Sequence, residues 1–298
     1  MNPLHLLTYF GLYATLAISL NFIVGFGRIT LAHGAIYATG AYCYAIVALT
    51  VSRDLTLSVP LAVGLGVGLG ALLSALASRF RGDQFVLMSL VVQTLIYEII
   101  RNWERAGVDP VAWMNLTNGT KGLAGVPRPS IAGFSLSSPC ALAILSLSFA
   151  CASTLVSWIL FASPFGRVLK AARDDEIAAR GLGKDVCSTR RIAFGLSGGM
   201  AALAGVVYAS YARYVDPSLA SLDESVLILT IVLVGGAGSR LLGPLTGAFF
   251  VLAVPEVLRF VKVTGATASS VQLLLYGIAL VLITHLRPRG LAGEHGIR

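Results

Sequence analysis

Uncharged polar side chains within apolar stretches are the first groups in this sequence that could bind a small solute. Asn21 and Gln93 carry amides, which can hydrogen-bond both ends of a zwitterion, and His33 can exchange a proton near neutral pH. Such groups are costly away from water and usually face a cavity or a partner. We therefore take Asn21, His33 and Gln93 as candidate residues of a translocation pathway, with hydrogen-bonded packing as the alternative for His33.

The charged residues at the ends of apolar stretches fit a simpler explanation. Glu98 and Arg101 are spaced three residues apart, as are Glu256 and Arg259. Residues at this spacing share one face of a helix. We expect each pair to form a local ion pair rather than to contact a solute.

The sequence offers little for catalysis, metal binding or nucleotide binding. It contains no HExxH or CxxC motif and no GxxxxGK[ST] phosphate-binding loop, and its four cysteines have no metal-ligand spacing. A GxSxG match occurs at 195–199, but it lies inside a continuous apolar run rather than at a turn between a strand and a helix. An enzyme would need a converging nucleophile, base or metal ligands. We predict no catalytic residues, no metal and no cofactor bound by this chain.

The composition indicates a membrane protein. Hydrophobic residues make up 56% of the 298 residues and charged residues only 12%, about half the share usual in soluble domains. Charge-free runs long enough to cross a bilayer as helices recur along the chain. They are 1–27, 29–52, 55–78, 129–166, 192–212 and 263–286, with shorter apolar runs at 84–100, 225–239 and 241–261. The prediction is one all-α domain, 1–298, a polytopic transmembrane helical bundle of about eight spans whose first helix is retained rather than cleaved.

The distribution of charge predicts the orientation of this bundle. One alternate set of loops holds 14 of the 22 Lys and Arg residues: Arg28, Arg79, Arg81, Arg240, the 167–191 loop and the 287–298 tail. The positive-inside rule places this set in the cytoplasm of an inner membrane, with the N-terminus periplasmic and the C-terminus cytoplasmic. The 163–191 loop is then cytoplasmic and the 101–139 loop periplasmic. The net charge of +8 reflects topology and contact with the lipid bilayer, and no nucleic-acid binding is expected.

Glycines mark three special places in the apolar runs. Gly25 and Gly27, beside Arg28, predict a broken helix whose backbone lines a cavity. The glycines at 64, 66, 68 and 70 predict close helix packing rather than a nucleotide fingerprint. The segment Gly235-Gly236-Ala237-Gly238 predicts either a bend that flexes during gating or a plain turn, with Gly235, Gly236 and Gly238 as the bend residues.

The cytoplasmic loop predicts two short helices that dock on a partner. Ser163 with Pro164 can start the first, and Asp174 can cap the second, with Asp175 and Glu176 in its first turn. Gly181 or Gly183 can end it in a left-handed conformation. A short helix with small residues on one side can seat in a partner's groove. The candidate coupling residues are Asp174, Asp175, Glu176, Ala178, Ala179, Gly181 and Gly183.

Several motifs in one order resemble a known family. Glu176-Ile177-Ala178-Ala179 followed by two glycines is similar to the EAA-type loop with which ABC importer permeases contact their ATPases. The whole set resembles LivM-type permeases of branched-chain amino acid importers. It comprises this loop, 20–21, 31–35, the 117–129 loop, 234–239 and 287–291.

The resemblance implies function and partners. A member would translocate branched-chain or related amino acids, or a similar small polar solute such as urea, a short amide or an aromatic acid. Its partners would be a second, LivH-like permease, two cytoplasmic ATP-binding subunits that use ATP-Mg, and a periplasmic substrate-binding protein. An ion-coupled secondary carrier is the alternative, and it would be expected to bury carboxylates near the membrane centre. The acidic residues of this sequence are predicted near span ends.

Overall fold

A computed structural model describes most of the chain, namely residues 3–80, 82–105, 107–131, 133–239, 242–260 and 266–286. The predicted roles of Arg240 and of the 287–298 tail lie outside these ranges. The helices, in chain order, are α1 (Pro3–Val24), α2 (His33–Thr50), α3 (Leu55–Arg79), α4 (Asp83–Asn102), α5 (Pro139–Ala162), α6 (Pro164–Asp174), α7 (Glu176–Gly181), α8 (Val186–Ala212), α9 (Leu222–Gly235), α10 (Leu242–Phe260) and α11 (Ala266–Leu286).

The predicted helical membrane bundle is confirmed. Within the described ranges, α1, α3, α4, α5 and α8 are long and apolar enough to cross a membrane. Eight of the helices in those ranges have 18 or more residues, in line with the expected number of about eight spans. The backbone groups of a helix form hydrogen bonds with one another, so they need no partner from the lipid hydrocarbon, which offers none.

The bundle has two distinct ends. We call the end that holds residues 103–138 the long-loop end, and the end that holds α6 and α7 the short-helix end. The long loop contains β1 (Leu123–Ala124), β2 (Ser130–Ile131) and β3 (Phe134–Ser135), and β4 (Tyr214–Val215) follows α8. Because β1 pairs antiparallel with β4, the long loop is fixed directly to the C-terminal end of α8.

The predicted break after α1 is confirmed, and it is longer than the charge-free run 29–52 suggested. α1 ends at Val24, and the next helix, α2, begins only at His33. The Leu31 amide donates to Ser89 Oγ at 2.9 Å and the Ala35 amide to Gln93 Oε1 at 2.8 Å. Gln93 lies ten residues into α4, about 15 Å along its axis. The chain therefore enters the bundle without helical structure, and α2 begins inside it.

A second non-helical segment enters from the opposite end. The chain between β4 and α9 includes a 3₁₀ turn at Pro217–Ala220. The carbonyl oxygens of Ala220 and Ser221 accept from Gln93 Nε2 at 2.6 and 2.9 Å. α9 therefore begins at the level of Gln93 and runs toward the short-helix end. This corrects the interpretation of 225–239 as a span: α9 has 14 residues and crosses only part of the bundle.

The two segments give the chain an inverted internal order. α1 and α8 are long helices of opposite direction, and each is followed by a non-helical segment, by a helix that begins inside the bundle, and by two further helices. Packing follows the same order, because α3 lies against α8 as α10 lies against α1. Inverted repeats of this kind are frequent in transport proteins, with discontinuous helices at their interface.

Gly66 and Gly70, two of the four glycines of α3, pack as predicted, whereas a Cβ placed on Gly64 meets no atom. A Cβ placed on Gly66 would overlap the carbonyl oxygen of Gly198, and one on Gly70 would overlap that of Phe194. Both partners belong to α8, so the two backbones touch. Gly68 has open space around it. The close contact between α3 and α8 is therefore made at Gly66 and Gly70.

Replacement of Gly70 by alanine should lower stability. Overpacking at such a contact costs about 1–3 kcal/mol, so we expect Gly70→Ala to lower the midpoint of thermal unfolding in detergent. The matched control is Gly68→Ala, which meets no atoms and improves helix propensity. It should leave the midpoint unchanged or raise it. Equal midpoints for the two variants would contradict a direct α3–α8 backbone contact.

Candidate functional site

The predicted short helices of the 163–191 loop are present. Ser163 Oγ accepts from the Gly166 amide at 3.3 Å and starts α6. Asp175, rather than Asp174 as predicted, caps α7, since its Oδ1 accepts from the amides of Ile177 and Ala178 at 2.8 and 3.0 Å. The reason is that α6 continues through Asp174, which moves the break one residue further. Gly183 takes the left-handed conformation, with φ at +73°.

Glu176 is the centre of a cluster of guanidinium groups. Its carboxylate accepts from Arg180 at 2.6 Å and from Arg190 at 3.0 Å, and it lies 4.0 Å from Arg28. Burial acts to raise the pKa of the Glu176 carboxyl, but the hydrogen bond and charge of Arg190, with the two other cations, outweigh it and lower this pKa. Glu176 is therefore ionised at neutral pH.

This cluster joins three separate elements. Arg190 belongs to α8 and has only 8% of its surface exposed, while Arg28 lies in the break between α1 and α2. Arg28 also donates to the carbonyl of Phe80 at 3.3 Å, at the end of α3. The position of α7 is thus fixed relative to the break and to two long helices.

A second contact ties the loop to the break. Arg173, at the end of α6, donates from Nη1 to the carbonyl of Gly25 at 3.1 Å. Gly25 follows the last residue of α1. A displacement of either short helix would therefore also displace the C-terminal end of α1.

The sequence analysis predicted that the small residues of α7 face a partner, and the structure shows a different arrangement. Ala179 is buried against Ala172 and Val186, so it fixes α7 to the rest of the chain. Ala178 is exposed. Ile177 in α7 and Leu182, which directly follows this helix, are large apolar residues that are 80% and 78% exposed.

Asn21 lies in α1 and joins it to the predicted glycine bend. Its Oδ1 accepts from the Gly238 amide at 2.8 Å, and its Nδ2 donates to the Ser239 carbonyl at 2.7 Å. Gly236 and Gly238 have φ angles of +121° and +75°, which favour glycine. Both ends of the amide are thus occupied by the bend.

Gln93 joins the two helices that begin inside the bundle. It is 1% exposed, accepts from the start of α2 and donates twice to the residues before α9. Ser225 adds a direct link, since its Oγ accepts from the Gly34 amide at 3.0 Å. The structure therefore places Gln93 at the meeting point of the two non-helical segments.

His33 is the first residue of α2 and is buried. Its Nε2 lies 2.7 Å from Ser19 Oγ, and its Nδ1 has no hydrogen-bond partner within the described part of the chain. This arrangement brings His33 close to Gln93 through α2 but leaves it apart from the Asn21 contact with the glycine bend. The pathway roles of Asn21, His33 and Gln93 stay predictions.

The predicted ion pair of Glu98 and Arg101 is confirmed at 4.0 Å, with both side chains about half exposed. The side chain of Arg259 lies outside the described residues, so its predicted pair with Glu256 cannot be placed. Within the described ranges, no cluster of three or more His, Cys, Asp or Glu residues could hold a metal.

Glu224 is the residue that sequence reasoning missed. Its position just before the apolar run 225–239 indicated a span end at the membrane surface. In the structure it lies in the first turn of α9, next to Ser225 and therefore inside the bundle. The signal that could have found it is the pair Asp216-Pro217 followed by a capping Ser221, which is typical of a turn before a helix.

A family profile described as branched-chain amino acid transport system permease component matches residues 2–284. The chain belongs to this family. It is a multi-pass inner-membrane permease component of an ABC-type transport system.

Two groups of relatives match the permease. The high-affinity branched-chain amino acid transport system permease protein LivM of Escherichia coli (strain K12) is 26% identical over 94% of this chain and 67% of the relative, and that of Salmonella typhimurium is 27% identical over the same shares. The autoinducer 2 import system permease protein LsrC of Klebsiella pneumoniae is 36% identical over 49% of this chain and 43% of the relative. No solved structure matches.

Glu176 and Arg190 should be energetically coupled. Removal of Glu176 leaves the nearly buried Arg190 without its charge partner, whereas removal of both residues avoids this cost. We expect Glu176→Gln and Arg190→Met together to destabilise the permease by about 1 kcal/mol less than the sum of the single changes. Thermal unfolding and hydrogen exchange of residues 163–191 would measure this.

The matched control is the exposed pair of Arg173 and Asp174, 36% and 68% exposed. An exposed pair should show coupling near zero in Arg173→Met and Asp174→Asn. Additive effects at Glu176 and Arg190 would contradict the role of Glu176 as the anchor of α7.

Proposed function

We propose that this permease translocates branched-chain or related amino acids, or a similar small polar solute, into the cell. A periplasmic binding protein delivers the solute, a second LivH-like permease completes the membrane unit, and two ATP-binding subunits drive transport. The observation that carries the proposal is an apolar surface on α7, held by an anchor that also contacts the break after α1.

The charge of the short-helix end supports a cytoplasmic position. Its loop carries Arg167, Lys170, Lys184 and Arg191 in addition to the cations around Glu176. Lysine and arginine accumulate in cytoplasmic loops. The long-loop end is then periplasmic, where a binding protein would deliver the solute.

The surface of α7 supports docking of an ATPase. Large apolar side chains exposed to water mark interaction sites when a rigid element presents them. Ile177 lies in a capped helix whose orientation is fixed by Glu176 and Ala179, and Leu182 directly follows that helix. A helix presented in this way can seat in a groove of a partner.

The anchor supports coupling between docking and the pathway. An ATPase that moves α7 would pull on Glu176 and, through it, on Arg28 in the break. The same motion would reach Gly25 through Arg173. The break continues into α2, and the start of α2 is hydrogen-bonded to Gln93 of α4. A displacement at the docking surface can therefore reach the interior of the bundle.

The energy for transport comes from the ATP-binding subunits. The sequence has no phosphate-binding loop, so ATP-Mg is used by the ATP-binding subunits. The choice of amino acids as solute is supported by the relatives named LivM, which match nearly the whole chain. The matches to LsrC cover half of it.

Reconstitution tests this function. We expect the permease to co-purify with co-expressed ATP-binding subunits and a second permease. Proteoliposomes should take up labelled leucine only with ATP on the ATPase side and the binding protein on the other. Uptake driven by an ion gradient without ATP would overturn the proposal.

The docking surface can be tested separately. We expect Ile177→Asp to reduce co-purification of the ATP-binding subunits about tenfold or more, because a charge replaces the exposed apolar side chain proposed to contact the ATPase. The matched control is Phe134→Asp, which makes the same change at an 81% exposed apolar residue of the long loop. Equal recovery of the ATPase from both variants would contradict docking on α7.

A further inference from the structure

An acidic residue is exposed halfway between the two ends of the bundle. Asp223 lies in the first turn of α9 and is exposed. The carbonyl oxygen of Ser221, two residues earlier, accepts from Gln93 Nε2 at 2.9 Å. Gln93 is the eleventh residue of α4, which has 20. A helix of this length spans about 30 Å, the thickness of the hydrocarbon layer. Asp223 therefore lies near the middle of the membrane.

Asp223 has no cation beside it in the part of the chain that the structure describes. The ion pairs of these residues do not include it. It does not cap its helix either, because Ser221 Oγ accepts from the Glu224 amide at 3.4 Å and fills that role. An acidic side chain in contact with hydrocarbon is costly, and such residues face protein or a water-filled cavity. In the assembled transporter, Asp223 therefore faces something other than lipid.

A stripe of exposed polar residues on α4 reaches the same depth. Thr94, Glu98 and Asn102 are spaced four residues apart, so they share one face of this helix. The Asn102 amide donates to Glu98 Oε2 at 2.7 Å. The stripe begins beside Gln93 and ends at the long-loop end. Because α4 packs against α9 and against the 3₁₀ turn before it, the stripe and Asp223 belong to neighbouring elements.

An open cavity of about 590 Å³ lies along the outer part of this stripe. Glu98 and Asn102 line it together with Leu95, Ile99 and Trp103. Sites for small molecules have volumes of this order and combine apolar walls with a few polar groups. This side of α4 therefore offers both polar groups and space for a solute.

Exposed apolar side chains surround the polar ones. Leu87 and Val91 lie on the same side of α4 as the stripe, and Leu222 and Val226 lie close to Asp223 on α9. We call these apolar residues, the stripe and Asp223 together the lateral surface. At mid-membrane such a surface is covered either by lipid or by another membrane protein. Since lipid is a poor neighbour for Asp223, the occupant is a membrane protein.

We propose that the second permease covers the lateral surface, and that Asp223 and the stripe line a water-filled solute pathway between the two subunits. The exposed apolar residues make the contact, and the polar residues face the water. The pathway begins at the long-loop end, where the binding protein would deliver the solute, and reaches the level at which α2 and α9 begin. This inference rests on the proposed function, which supplies the second permease, and adds the surface on which it docks.

Photo-crosslinking tests the contact. The photoreactive amino acid p-benzoylphenylalanine replaces Val91 in the complete transporter, expressed with the second permease and the ATP-binding subunits. We expect a crosslinked product that contains the second permease. The matched control is Leu155, an exposed apolar residue of α5, a helix without charged residues, and it should give no such product. Crosslinking of Val91 only to lipid or to a second copy of this chain would overturn the proposal, as would equal crosslinking from both positions.

Thiol labelling tests the pathway. The four native cysteines are replaced by alanine, and Asp223→Cys then supplies the single thiol of the reconstituted transporter. The control keeps Cys151, which is exposed at the middle of α5, as its single thiol. We expect a charged methanethiosulfonate reagent to label position 223 about tenfold faster or more, because it attacks the thiolate, which forms in water rather than in hydrocarbon. Equal labelling rates would contradict a water-filled pathway.

The effect of the label on transport distinguishes a pathway from a mere crevice. Labelling at position 223 should reduce the uptake of leucine about tenfold or more relative to the same variant before labelling, because the attached group fills the pathway. Labelling of Cys151 should leave uptake unchanged. Full uptake after complete labelling at position 223 would overturn the pathway. If Asp223→Cys does not assemble or transport, Thr94→Cys, at the same depth on α4, replaces it with the same expected results.

The outcomes separate this inference from the proposed function. If leucine uptake requires ATP but Val91 does not crosslink to the second permease, or the two thiols react equally, the lateral surface is wrong and ATP-driven transport stands. If the unchanged transporter takes up no leucine with ATP, the transport function falls, and the crosslinks and labelling rates still decide the role of the lateral surface.

Discussion

Backbone groups that leave a helix inside an apolar bundle need hydrogen-bond partners, and this requirement governs the interior of the permease. Two non-helical segments enter the bundle from opposite ends. Gln93 provides three bonds to them, one to the start of α2 and two to the carbonyls before α9. Because an unsatisfied backbone group costs several kcal/mol in hydrocarbon, the level of Gln93 decides where both helices begin.

The short helices are anchored by the same requirement, applied to charged groups: a buried charge needs a partner of opposite sign. Arg190 is nearly buried and needs a carboxylate, Glu176 supplies it, and the same carboxylate reaches Arg28. A surface that faces a partner is therefore part of one network with the end of α1.

Local sequence signals predicted much of the fold, and long-range pairing limited the rest. Ser163 and Pro164, like the glycines at 25 and 27, act on their own neighbours, so α6 and the break were predictable. The cap moved from Asp174 to Asp175 because both residues can cap and only packing decides between them. The course of the chain into α9, and with it the depth of Glu224, depends on Gln93, which lies more than 120 residues earlier.

The amide of Asn21 has a consequence for motion. One planar group bonds backbone groups of two successive residues, the amide of Gly238 and the carbonyl of Ser239, so a shift of α1 acts on both hydrogen bonds. A slide of α1 past the bend would lengthen both bonds together. Intermediate positions are therefore disfavoured, and the two elements are latched: they travel as one body or separate in a single step.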